Sequence, residues 1–247
     1  REGGNDAHGV AGVFFFFWRH GKTLTCKKQL WEEIMGQGDG AKHDGFLGAV
    51  YDSRSTTDVA ALYDKWAATY DAEMAQAGYR HPTICLALLA RHLPKGTAPL
   101  LDAGAGTGLI GEWLQIMGYP QVEALDISEG MLKVAETKGC YSAFHVLALG
   151  GPLPFADDSY GGVISAGVFT SGHVGAEGLD ELIRITRPGG IIVLTVKNTL
   201  WEAGFAERVA ALESEGRVSR AEETEPYVSM PGETGTTPSR GLVLRVR

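Results

Sequence analysis

The stretch Leu100–Gly111, LLDAGAGTGLIG, decides how this chain is read. Two leucines lead into Asp102, glycines follow at 104, 106 and 108, and an apolar-periodic run, LIGEWLQIM, begins at Leu109. That order is a strand, a tight turn and a helix. Glycine lets the backbone take φ > 0 and approach a ligand with no Cβ in the way. The amide groups that open the following helix favour the negative end of such a ligand. The turn is therefore expected to hold a nucleotide-like molecule.

Working outward, units of the same kind recur. Upstream, Val59, Leu62, Tyr63, Trp66 and Tyr70 fall at helical spacing from Thr56, and a second helix runs from Pro82 until Pro94 ends it. The first strand is read at Ala98–Asp102, and the helix after the turn at 109–117. Downstream, a second strand (Gln121–Leu125) ends at Asp126, Ser128 caps a helix that Gly139 closes, and a third strand is read at Tyr141–Ala148. A turn-rich loop, GGPLPFADDS, precedes a fourth strand at Gly162–Gly167, followed by a helix at Leu179–Thr186. The turn Arg187–Gly190 introduces the most apolar strand, Ile191–Lys197, and another helix spans Trp201–Glu215. Alternating strands and helices predict an α/β, Rossmann-like, doubly wound sheet, mostly parallel, with helices on both faces. The last two strands, near Val218–Val228 and at Leu242–Val246, lack a helix between them and are expected to form an antiparallel hairpin at one edge.

Residues 1–45 differ in character, with the run Phe14–Trp18 and the Gly-rich stretch GQGDGAKHDG; they are read as a poorly ordered or atypical extension to a domain at 46–247. The extension holds six basic and six acidic residues, so the net charge of −8 belongs to the domain. That balance argues against nucleic acid as partner, since a phosphate backbone attracts clustered Lys and Arg. The three cysteines (Cys26, Cys85, Cys140) are scattered and form no CxxC pair, so neither a disulfide framework nor a metal site is expected. No apolar run reaches the roughly 18 residues of a membrane helix. The expectation is a cytoplasmic protein, a monomer or weak homodimer, acting on a small molecule.

The bare glycine pattern fits two ligands. Gly106, Gly108 and Gly111 spell GxGxxG, and Asp126 lies 20 residues beyond Gly106, which together satisfy the dinucleotide fingerprint of an NAD-dependent oxidoreductase. Against it, a carboxylate at 102 would oppose a pyrophosphate, and the aromatic residues of the first helix suit a cation. S-adenosylmethionine meets these conditions: its sulfonium is positive, its amino group can be anchored by Asp102, and Asp126 is placed for the ribose hydroxyls.

Here the chain resembles class I S-adenosylmethionine-dependent methyltransferases, over about residues 50–247. LLDAGAGTG resembles their first motif, EALDIS with Gly130–Met131 the second, PLPFADDSYGGVISAGV the third and fourth, and RPGGIIVLTV the turn and fifth strand. More narrowly, YDKWAATYDAEM with the later TSGHV is similar to the Williams–Beuren syndrome region methyltransferase-like proteins and their bacterial relatives. The resemblance implies a seven-stranded sheet with an antiparallel last strand, and a ligand across the ends of strands one, two and four.

The cofactor-binding set that follows is Asp102, Ala103, Gly104, Ala105, Gly106, Thr107 and Gly108 around the turn, and Asp126 on the ribose. Ile127 and Met131 are expected to flank the adenine, beside Ala148 and Leu149. Ala166 or Gly167 presents a carbonyl to the ligand amino group, and Tyr63, Trp66 and Tyr70 are read as a cover. S-adenosylhomocysteine would be the product. His173 is the candidate general base, as the histidine expected nearest the substrate. Two departures stand out: Ala148–Gly150 offers no acidic side chain to adenine, and Tyr160–Gly161 replaces the usual Phe-Asp before the fourth strand. A binding module without catalysis remains a second alternative.

Overall fold

Strand β1 (Leu100–Ala103) lies in the middle of the sheet and is buried along its whole length. The structure is a computed structural model and describes residues 56–170, 173–233 and 236–247. The reading of 1–45 as an extension lies outside the described residues. Three helices come first: α1 (Thr56–Trp66), α2 (Tyr70–Ala77) and α3 (His81–His92). The first two replace the single helix expected through Tyr70, because the chain turns at 67–69. After β1 come α4 (Gly111–Ile116), β2 (Val122–Asp126), α5 (Glu129–Thr137), β3 (Ala143–Val146), β4 (Tyr160–Phe169), α6 (Gly178–Ile185) and β5 (Thr186–Lys197). Short helical turns over Asn198–Leu200 and Trp201–Phe205, broken at Gly204, lead into α7 (Ala206–Ser214). The chain closes with β6 (Val218–Glu223) and β7 (Ser239–Val246).

The seven strands lie in the order β3-β2-β1-β4-β5-β7-β6. β1 pairs in parallel with β2 and β4, and β5 in parallel with β4. β7 runs antiparallel to both β5 and β6. The expected hairpin is thus present, but its second strand is the one inserted next to β5, which leaves β6 at the edge. The turn expected at Arg187–Gly190 is a bulged start to β5: the pairing with β4 shifts between Tyr160/Thr186 and Gly162/Ile191. Tyr160, where the family pattern is lost, still begins β4 securely, its buried hydroxyl donating to Glu123 at 2.8 Å.

Both faces of this sheet are covered, so its central strands read as continuous apolar runs rather than alternating ones. Side chains nonetheless alternate in direction. Ile192, Leu194 and Val196 pack with Leu179, Leu182, Val209 and Leu212 of α6 and α7. Ile191 and Val193 meet Cys85, Leu88 and Leu89 of α3, and Leu114 of α4. Each fully buried aliphatic side chain of this kind contributes about 1.5–3 kcal/mol through lost water contact. These two layers make the rigid frame that holds the carboxyl ends of β1, β2, β4 and β5 around one recess.

Candidate functional site

Two adjoining cavities open at those strand ends, the place where open α/β sheets hold ligands. The larger has about 800 Å³ of empty space and takes in Gly104, Gly106, Asp126, Ile127, Met131, Ala148, Leu149, Ala166, Gly167, Tyr63, Tyr70 and His173 among its walls. The smaller, of about 450 Å³, shares Tyr63, Tyr70, Tyr79 and Gly167 with it.

The glycine turn lies between β1 and α4. Gly104 and Ala105 both donate backbone hydrogen bonds to the Leu125 carbonyl, at 2.7 and 3.0 Å, which ties the turn to β2. Gly106 has φ +54°, and a Cβ added there would meet no protein atom within 4 Å. Its outward side is open space on the cavity, the cradle a ligand needs. Gly106 N donates to Asp126 Oδ2 at 2.8 Å, while Ser128 N donates to Oδ1 at 2.9 Å. Burial raises the Asp126 pKa, and these amides oppose the shift by favouring the carboxylate. The carboxylate lines the cavity, and its oxygens can each accept more than one hydrogen bond, which suits a vicinal pair of hydroxyls.

Not every member of the expected set reaches the cavity. Asp102, expected as the ammonium anchor, is 1% exposed and is not among the residues of either wall. Strand alternation turns it to the same side as Leu100, beneath the turn, where Tyr141 donates to its Oδ2 at 2.7 Å and Oδ1 has no hydrogen-bond partner. Desolvation raises its pKa to about 7. Ala103 and Ala105 are core residues, and Thr107 is buried with its hydroxyl donating to Asp71. Gly108 serves packing, since a Cβ there would lie 3.0 Å from Tyr141 and 3.2 Å from Ala135. Gly111 does likewise, with Cys140 Sγ at 2.6 Å from an added Cβ. α4 starts only at Gly111, so its first amides do not face the ligand space as expected.

The aromatic cover divides in the same way. Tyr63 and Tyr70 line both cavities, whereas Trp66 is 1% exposed and lines only the smaller. Tyr63 and Trp66 stack at 5.9 Å, and Trp66 meets Tyr70 edge-on at 4.8 Å. The Tyr63 hydroxyl and His173 Nε2 are 3.3 Å apart across the larger cavity. Two aspartates that follow the tyrosines in sequence hold this cover down. Asp64 accepts from Ser128 Oγ and Gly130 N, and Asp71 from Thr107 Oγ1 and Lys138 Nζ.

The smaller cavity was not legible beforehand, and it adds His81, Thr195 and Lys197 to the site. His173 is therefore not alone: His81, fully buried at the start of α3, also borders ligand space. A signal for Lys197 was present, as the one charge ending the apolar strand IIVLTVK at the carboxyl edge of the sheet. His81 gave none, because nothing local distinguishes a ligand-facing histidine at a helix start. Among the described residues no three His, Cys, Asp or Glu side chains cluster as a metal site requires, and no helix is long and apolar enough to cross a membrane.

Comparison with known proteins agrees with this geometry. Residues 101–194 match the family described as a methyltransferase domain. Human methyltransferase-like protein 27 is 33% identical over 153 residues, covering 61% of this chain and 62% of the relative. The demethylmenaquinone methyltransferase of Clavibacter sepedonicus is 32% identical over 145 residues, 58% of this chain and 59% of the relative. The chain thus spans about three-fifths of the length of the curated relatives it matches. A crystal structure of an S-adenosylmethionine-dependent methyltransferase from Thermotoga maritima superposes with a TM-score of 0.54 at 15% identity, over 76% of this chain and 99% of that one. The strand order separates this chain from the dinucleotide reading, since an antiparallel β7 lies between β5 and β6, whereas a dinucleotide-binding sheet runs 3-2-1-4-5-6. By motif, strand order and similarity, residues 101–194 match a methyltransferase domain, and the sheet has the fold seen in S-adenosylmethionine-dependent methyltransferases.

Proposed function

We propose that the chain transfers a methyl group from S-adenosylmethionine to a small-molecule acceptor. The observation that carries this reading is the pair of joined cavities, one built on Asp126 and the glycine turn, the other closed by aromatic rings, meeting at Gly167, Tyr63, Tyr70 and Tyr79.

Bound in the larger cavity, S-adenosylmethionine would supply a methyl group on a positive sulfur that is already a good leaving group. Asp126 would hold the ribose through its two carboxylate oxygens. Ile127, Met131, Leu147 and Leu149 supply apolar walls suited to the adenine, in place of an acidic contact. Gly167 has φ +78°, which a glycine adopts without strain and which turns the chain where the cavities meet. Its amide is held by Thr195 Oγ1 at 2.8 Å. The tyrosines of α1 and α2 exclude water and orient the two molecules, the main service a methyl transfer needs from protein. His173 borders the same space and is assigned as a base for acceptors that must lose a proton.

Support for a small acceptor comes from the lining of the second cavity, where Trp66, Tyr70, Tyr79, Met74 and Met230 supply the mostly apolar, aromatic walls of small-molecule sites. A net charge of −8 also disfavours a nucleic acid. One relative is itself named for a small-molecule acceptor, demethylmenaquinone. Calorimetry with S-adenosylhomocysteine on the full chain tests the cofactor reading. A labelled methyl group transferred from S-adenosylmethionine into the small-molecule fraction of a cell extract tests catalysis. Binding of the homocysteine product without any transfer would favour a binding module, and binding of NADH instead would overturn the reading.

A further inference from the structure

The start of α3 and the segment before β7 are joined at the wall of the smaller cavity. Arg80 N donates to the Ser229 carbonyl at 2.9 Å, and the Arg80 guanidinium to the Val228 carbonyl at 3.3 Å. Tyr227 exchanges two backbone hydrogen bonds with Ser239, each of 2.9 Å. His81 and Tyr227, 146 positions apart, are thereby brought side by side, with His81 Nδ1 2.7 Å from the Tyr227 hydroxyl. The imidazole is 4% exposed and borders the cavity. Tyr79 and Tyr227 meet it edge-on, at 5.2 and 5.6 Å.

This contact decides which ring nitrogen carries the proton. Burial raises the Tyr227 pKa, so the phenol keeps its proton and can donate it in a hydrogen bond. Burial first, and Lys197 second, lower the His81 pKa to about 3, so the imidazole is neutral at physiological pH. A phenol is the stronger donor of such a pair and an imidazole nitrogen the stronger acceptor. Among the described residues, Nδ1 is also the one group placed to accept from the Tyr227 hydroxyl. The bond therefore runs from Tyr227 to Nδ1, which leaves the imidazole proton on Nε2. Nε2 has no hydrogen-bond partner among the described residues. Its ring neighbour Cδ2 would lie 3.4 Å from a Cβ added to Gly167, so this edge of the imidazole is turned to the junction of the two cavities. A buried N–H left without an acceptor is costly, and a ligand oxygen at that junction would satisfy it.

We propose that His81 Nε2–H docks the methyl acceptor by donating to a neutral, carbonyl-type oxygen on a flat, apolar small molecule held in the smaller cavity. This inference rests on the larger cavity being the S-adenosylmethionine site. The body of the chamber suits such a molecule, since Trp66, Tyr70 and Tyr79 supply flat rings and Met74 and Met230 fill between them. His81 serves as a fixed donor and not as a base. A molecule with carbon in place of the oxygen leaves Nε2–H unpaired, and a group that presents a proton there meets a second donor. The same bond orients the molecule at Gly167, where the two cavities meet.

The test uses the full chain saturated with S-adenosylhomocysteine, with its histidine ring nitrogens isotopically labelled for magnetic resonance. Between about pH 5 and about pH 8, His81 is expected to show a protonated Nε2 and an unprotonated Nδ1, and Tyr227→Phe should mix the two tautomers. The protein is then titrated with acetophenone and with isopropenylbenzene, which has the same shape but a terminal methylene in place of the carbonyl oxygen. Isopropenylbenzene is the more apolar of the two, so a chamber without the donor would prefer it. Acetophenone is expected to bind at least about fivefold tighter, with its carbonyl stretch moved to lower frequency and the Nε2–H resonance displaced. His81→Phe should reverse the preference and abolish the frequency shift. His81→Gln, whose amide nitrogen can stand near the place of Nε2, should keep part of both. A proton on Nδ1 in the wild type, equal or tighter binding of isopropenylbenzene, no binding of acetophenone, or a preference that survives His81→Phe would overturn the proposal. The tautomer and the preference are both read on the wild type, so a variant that fails to fold leaves the proposal open to refutation. S-adenosylhomocysteine itself failing to bind the wild type would overturn the underlying cofactor reading instead, so the two failures are distinct.

Discussion

The carboxylate of Asp64 on α1 accepts hydrogen bonds from the Ser128 hydroxyl at 2.6 Å and the Gly130 amide at 2.7 Å, both at the start of α5. Ser128 passes the interaction on, accepting in turn from Met131 N at 3.0 Å as the helix N-cap. One orphan amide of α5 is thus satisfied by its own cap and another by a different helix. These bonds hold the Asp64 pKa below its usual value. The neighbouring Tyr63 reaches over both cavities, and the pair Tyr70–Asp71 repeats the arrangement seven positions later, with Asp71 bound to Lys138 at 2.7 Å. Two aspartates fix the two tyrosines that cover the site.

Asp64→Ala removes both contacts, and we expect a loss of about 1–2 kcal/mol in the docking of α1. Hydrogen exchange should show faster exchange across Thr56–Trp66, and calorimetry should show weaker S-adenosylhomocysteine binding by several-fold. Gly130→Ala should act through the same contact, since its Cβ would stand 2.8 Å from Asp64 Oδ1 and 2.9 Å from Asp64 Cα. Unchanged exchange in α1 for both variants would show that the latch does not hold the helix.

Gly106 and Gly111 predict opposite phenotypes although both belong to the GxGxxG pattern. Gly106→Val fills open cavity space, so it should weaken S-adenosylhomocysteine binding more than tenfold while lowering stability by the strain of a positive φ, about 2 kcal/mol for a β-branched residue. Gly111→Ala collides with Cys140 and Tyr141 and should cost about 1–3 kcal/mol in denaturant unfolding, with little direct effect on affinity. Parallel calorimetry and urea titrations distinguish them, and identical profiles would contradict the placement of the two glycines.

Asp126→Ala deletes the carboxylate that joins β2 to the glycine turn and faces the larger cavity. Charge-assisted hydrogen bonds contribute about 1.5–3 kcal/mol, so the affinity for S-adenosylhomocysteine should fall by about ten- to a hundredfold. An affinity equal to wild type would remove Asp126 from the binding role.

Asp102 sets a pH dependence. Its folded pKa is raised to about 7 from 3.8, so between those values the folded chain binds a proton that the unfolded chain has released. Stability from this group therefore falls as pH rises from about 4 to about 7 and is flat above. Asn cannot ionise, so the unfolding free energy of wild type minus that of Asp102→Asn should decline across the same window. Urea titrations at several pH values measure it, and a difference independent of pH would mean that Asp102 is charged throughout.

Much of the frame could be read along the chain. The apolar run Ile191–Val196, the capped helix after Ser128 and the glycine turn after Leu101 are set by neighbours within a few residues, and each forms nearly where expected. What the local pattern missed has a common cause. The break after Trp66, the bulged entry to β5 at Arg187–Gly190 and the insertion of β7 beside β5 depend on partners far along the chain. Periodicity does not carry that information. In the site, Asp126, Gly106, Ile127 and Met131 were legible because a strand end and the turn beside it dictate which way they face. Asp102 was not, since its burial depends on Tyr141, which is 39 positions away along the chain.

The residues alone therefore determined that this is a doubly wound α/β chain with a nucleotide-type turn and an acidic residue ending its second strand. These follow from φ, ψ preferences and the side-chain periods of single elements. Only the tertiary structure decided that Gly108 and Gly111 pack against Tyr141, that Asp64 and Asp71 fasten the aromatic cover, and that His81 and Lys197, 116 residues apart, share one chamber. Those outcomes arise where separate elements meet, and the geometry of a meeting is a property of the assembled sheet and its layers.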